Sequence, residues 1–142
     1  MGSARTFYDK AAANLRCSRI LLEYGEGEEG QIAAAAFHLQ QAAELALKHL
    51  LRQNGVDYPE TQNIDQLIRL GRDAGVQLYL TEYLEDHAEM LYRWEAQWES
   101  ILDYTIEVGA VERALSEIEN YLVDVAAQET AAIAALEAGS HE

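Results

Sequence analysis

The sequence reads as an all-α, up-and-down antiparallel bundle of four long helices and one short one. Three observations carry that reading. Apolar residues recur at steps of three and four through nearly every long stretch, and no segment alternates apolar and polar as a half-buried strand does. Glycines punctuate the periodic runs where helices end. The connections between runs are short, which sets neighbouring helices antiparallel. With 142 residues and 49% apolar composition, the chain can bury its own core and is too apolar for a disordered acidic tail. We expect a single domain over residues 1–142, its core at about 4–125 and an Ala-rich helical extension at 126–142.

The first run steps Phe7, Ala11, Leu15, Ser18, Leu22 and spans about residues 4–24 before Gly25, Gly27 and Gly30 interrupt it. The second steps Ile32, Ala36, Leu39, Ala43, Ala46, Leu50 from Glu29 to Asn54, and Gly55 is the expected left-handed cap. The only proline, Pro59, stands in the turn that follows. Thr61 or Asn63 is placed to cap a short third helix carrying Ile64, Leu67 and Ile68 and ending near Gly71. The fourth run is the most regular: Leu80, Leu84, His87, Leu91, Trp94, Trp98, Ile101, Thr105. Val108-Gly109 marks a break before the last run, Val111, Leu115, Ile118, Leu122, Val125, Ala132, Leu136, which is expected to fray beyond Leu136.

Charge is unevenly spread. The formal net charge is −15, yet residues 1–72 hold eight bases against nine acids while residues 73–142 hold two bases against sixteen acids. The acidity argues against coating of a nucleic-acid duplex, which calls for a basic face. A local patch on Arg16, Arg19, Lys48 and Arg52 remains compatible with a nucleotide or RNA. No apolar run reaches the length of a membrane span. No charged segment leads into an apolar one as in a secretory leader, so a cytoplasmic location is expected. One cysteine excludes a disulfide scaffold, and Cys17 is expected to be a buried, inert thiol.

Most chemical motifs fail on context. Gly25-x-Gly27-x-x-Gly30 has the letters of a dinucleotide fingerprint, but a helix precedes it and its intervening residues are all Glu, which repels phosphate. The residues three before His38, His49, His87 and His141 are Ala35, Ala46, Leu84 and Ala138, so no Glu-x-x-His pair exists for a di-metal bundle. Glu82, Glu85, Asp86 and Glu89 read as a solvated stripe. No metal and no cofactor is expected. His87 reads as a hydrogen-bonded core histidine, and Trp94 and Trp98 as core or interface anchors. What is left is the row His38, Gln41, Glu44, Lys48, Arg52 beside the apolar stripe of the second helix. It is the candidate ligand- or partner-binding face, a groove for an anionic ligand or partner, against an ordinary polar face or dimer seam. Glu44 and Lys48 stand in the favourable order for an i,i+4 ion pair.

The run Ala36-Phe37, Gln40-Gln41-Ala42, Glu44, Ala46, Lys48 resembles the second helix of HEPN domains, which often read Ala-Phe-x-x-Gln-Gln-Ala-x-Glu-x-Ala-x-Lys. Tyr58-Pro59-Glu60-Thr61-Gln62-Asn63-Ile64-Asp65-Gln66-Leu67 is similar to the family's Pro-x-Thr-His-Asp-Leu turn, with Gln62 where His is usual. The order long, long, short, long, long agrees. The resemblance implies a prokaryotic, cytoplasmic, usually dimeric bundle, often encoded beside a minimal nucleotidyltransferase as a toxin–antitoxin or nucleotide-linked pair. Several family members are metal-independent ribonucleases using Arg-x(4–6)-His. No arginine here has a histidine at that spacing; after Arg93, those positions hold Trp98, Glu99 and Ser100. The Arg-Tyr-Pro signature that many short family members carry after the fourth helix is missing, and Glu99-Ser100-Ile101-Leu102-Asp103-Tyr104 stands in that neighbourhood. The expectation is therefore a non-catalytic, homodimeric, partner-binding component, with Trp98 and Ile101 as dimer anchors. A ribonuclease with atypical residues and an acidic module for a basic protein are the alternatives.

Overall fold

The computed structural model describes residues 6–60, 63–96 and 106–140. Five helices make up the described chain: α1 (Phe7–Tyr24), α2 (Glu29–Gln53), α3 (Ile64–Asp73), α4 (Glu82–Ala96) and α5 (Val108–Ser140). The all-α expectation holds. Trp98, Ile101 and Thr105 of the fourth run, and Thr61 and Gln62 of the turn, lie outside the described residues.

Helix ends follow from local chemistry. Thr6 and Asp9 form a reciprocal capping box at the start of α1, each side chain accepting from the other's backbone N–H. Asn63 is the cap of α3, its side chain accepting from the Gln66 N–H. Gly55 sits at φ +70, the left-handed conformation expected of it after α2. Helix α3 ends at Asp73, near Gly71 as expected. Gly71 falls in its last turns, where an added Cβ would come within 2.7 Å of buried Leu78. Helix α5 does not fray beyond Leu136; it stays helical to Ser140.

Helix α2 is the hub, in contact with all four other helices. Its buried face is largely alanine (Ala33, Ala35, Ala36, Ala42, Ala43, Ala46), and small side chains allow close helix approach. On α1 the Ser18 hydroxyl reaches across to donate to the Ala35 carbonyl at 3.0 Å. Leu39, Leu47, Leu51, Ile64, Leu67, Leu84, Leu91, Ile118 and Tyr121 fill one continuous core. The Tyr121 hydroxyl donates to the Leu78 carbonyl at 2.7 Å, and burial, then Asp124, raises its pKa. Cys17 corrects the expectation of a buried thiol. It is exposed.

Candidate functional site

Along α2 the five residues of the polar row take different partners. Lys48 donates to Glu44 Oε2 at 2.8 Å, and Gln40 Nε2 donates to Glu44 Oε1 at 3.2 Å. Gln41 Nε2 in turn donates to Gln40 Oε1 at 2.9 Å. Glu44 is only 4% exposed, so its carboxylate depends on these donors. The ion pair has the spacing and order the sequence indicated, but it is inside the protein rather than on a solvated face.

The cationic end of the row rests on aromatic rings. Lys48 Nζ stands 5.6 Å from the centre of the Tyr58 ring, and the Arg52 guanidinium 5.4 Å from that of Phe7. Phe7 and Tyr58 are themselves neighbours, tilted at 6.5 Å, and Lys10 covers Phe7 at 5.6 Å. The start of α1, the end of α2 and the Tyr58 turn thus gather three cations about two rings. Beside them Arg52, Val56, Asp57, Tyr58 and Glu60 line an open recess of about 400 Å³. His38 belongs elsewhere. Its Nδ1 bonds to Asn14 Oδ1 of α1 at 2.7 Å, and burial lowers its pKa.

Two further constellations gather a histidine with residues of another helix. In the first, His49 Nε2 donates to Glu129 at 2.9 Å, joining α2 to α5, and the His49 ring lies 5.7 Å from Tyr8. Tyr8 donates to the Leu122 carbonyl at 3.0 Å, and burial, then Glu129 and Asp9, pushes its phenol up. In the second, His87 stacks on Tyr83 at 4.1 Å, and its Nδ1 donates to the Tyr83 carbonyl at 2.8 Å. Arg113 of α5 lies 5.4 Å from the centre of the same ring. His87 is hydrogen-bonded, as expected, and only half-buried. The Glu82, Glu85, Asp86, Glu89 stripe is exposed. Among the described residues no group of three His, Cys, Asp or Glu is arranged to hold a metal, and no helix is long and apolar enough to cross a membrane.

The family model for the HEPN domain matches residues 4–126, most of the chain. The chain belongs to the HEPN domain family. No curated protein and no solved structure matches it. The family is a nucleotide- and RNA-related one. The HEPN match contains the whole polar row and the aromatic turn, and it ends at residue 126, before Glu129 and the last turns of α5.

Proposed function

We propose that this HEPN protein is a non-catalytic, homodimeric, partner-binding component of a prokaryotic two-component system, its counterpart a nucleotidyltransferase. One observation carries the reading. The described histidines hydrogen-bond to Asn14, Glu129 and the Tyr83 carbonyl, and none of these partners is an arginine. That arrangement accompanies a sequence without Arg-x(4–6)-His, the spacing that brings an imidazole and a guanidinium together to cleave RNA. Of the row His38, Gln41, Glu44, Lys48 and Arg52, Arg52 with the Phe7 and Tyr58 rings offers the contact surface, the Glu44–Lys48 pair and Gln41 brace α2, and His38 ties α2 to α1 through Asn14. Co-expression with the reading frame beside it on the genome tests the proposal. A stable complex that Arg52→Glu weakens supports it; failure of any neighbour-encoded protein to associate counts against it.

A second reading, RNA or nucleotide processing, rests on the Tyr83 ring. Two helices bring His87 and Arg113 to it without motif spacing. With Nδ1 donating to a carbonyl, the neutral His87 ring carries its lone pair on Nε2, as a general base requires. Cleavage of tRNA or messenger transcripts by the purified chain, abolished in His87→Ala, would establish this reading in place of the first.

A further inference from the structure

Helix α5 is 33 residues long, about 50 Å, whereas the hub helix α2 has 25 residues, about 37 Å. The longer helix outruns the bundle. Its apolar seam, Val111, Ala114, Ile118, Leu122, Val125, is buried throughout. The same seam runs on at steps of three and four through Glu129, Ala132 and Leu136, but from Thr130 to Gly139 every residue is exposed. Leu136 is 74% exposed and Ile133 57%. Instead of closing on the bundle, this stretch stands over a cleft of about 470 Å³, with Leu50 and Tyr79 on its opposite wall. Tyr79 is held at φ 54, a strained conformation for a non-glycine residue.

The cleft has one charged group, and its sign is negative. Glu129 lines it, 30% of the side chain remains accessible, and among the described residues its ion-pairing partner is His49 rather than any lysine or arginine. The other polar walls are the amides of Gln53, Asn54 and Gln77. Residues 73–142, which supply six of the nine residues lining the cleft, carry sixteen acids against two bases. A second copy offering its own α5, with six acids against one arginine, would bring like charge to the cleft. A segment with lysine or arginine flanking an apolar stripe satisfies both features of the cleft.

From this we infer that the overhanging end of α5 and the cleft beneath it form a docking groove for a basic amphipathic helix of a partner protein. The helix would set apolar residues on Tyr79, Ile133 and Leu136 and a cation at Glu129. This rests on the partner-binding reading and names the chemistry of the partner, at a site outside the HEPN match.

The test uses the full chain and a fluorescent amphipathic helix of about 18 residues built from leucine and lysine, with a leucine and glutamine counterpart as control. Anisotropy is read at about 50 and 300 mM salt, across which attraction to an exposed charge fades. The lysine helix is expected to bind, to weaken steeply with salt, and to lose about tenfold or more in affinity on Leu136→Asp. Leu136 is too exposed for that change to unfold the bundle, and Glu129→Gln is expected to reduce the salt dependence. Equal binding to Leu136→Asp overturns the inference, as does equal binding of the glutamine helix. Sedimentation showing that wild type self-associates and Leu136→Asp does not also overturns it, because a second copy then fills the groove. If the Leu136→Asp chain still co-purifies with its neighbour-encoded partner, the groove is wrong and the partner-binding reading stands. If the helix binds at the groove but wild type captures no such partner, the reading falls alone.

Discussion

Glu44 shows how a single side chain ties sequence to stability. Its carboxylate is buried, and Lys48 and Gln40 satisfy it. Lys48→Met removes the cation and leaves the charge inside, at an expected cost of about 2–4 kcal/mol in urea unfolding. The double change Glu44→Leu with Lys48→Met is expected to recover most of that loss, because no charge is then stranded. Additive losses would show that the pair is not coupled. Tyr121→Phe strands the Leu78 carbonyl and is expected to cost about 1–2 kcal/mol by the same measurement. His38 sets a pH dependence. Burial holds its imidazole below the ordinary value of 6.5, so in the window beneath 6.5 the unfolded chain binds more protons than the folded one. The stability from the neutral ring is complete above that window and is lost as pH falls through it. Urea midpoints of His38→Gln followed downward from neutral pH are expected to fall less than those of wild type. Parallel curves would remove the effect from His38.

At the scale of the helix, periodicity made the elements legible. Runs at steps of three and four gave α1, α2 and the described part of α4, since an apolar face must be buried wherever a helix forms. Gly71, near the end of α3, is a packing residue that admits Leu78. Gly71→Ala should therefore destabilise by about 1–3 kcal/mol rather than stabilise the helix, as an exposed Gly→Ala change would; a gain in the urea midpoint would contradict the packing role. Cys17 is exposed although Leu15 is buried two residues earlier, because a two-residue step turns a helix most of the way to its other face. The Glu44–Lys48 pair was legible because four residues make one turn. The His49–Glu129 bond, 80 residues apart, was not. A trace existed all the same: the apolar run of α5 jumps from Val125 to Ala132, and Glu129 fills the skipped register position. A carboxylate on a seam calls for a donor opposite it.

For the molecule as a whole, the hub position of α2 and the split in charge set what the protein can do. The helix that carries the family's Gln-Gln-Ala-x-Glu pattern holds every other helix in place, so its buried polar chain acts on the entire bundle. Helices α1 to α3 are nearly neutral and gather Lys10, Lys48 and Arg52 at two rings, while α4 and α5 are strongly acidic and end in an uncovered apolar seam. The protein thus offers a cationic aromatic surface and an acidic apolar one, as suits a component that works by association. Family membership was readable from the α2 pattern and the Pro59 turn, because those residues carry packing and turn geometry that the bundle needs. The identity of the proposed partner was not readable, because a recognition surface answers to a chain outside this sequence. The most direct measurement is co-purification of the full chain with the protein encoded beside it. A stoichiometric complex that dissociates as salt rises is the predicted result; elution of the chain alone at every ionic strength would contradict the account.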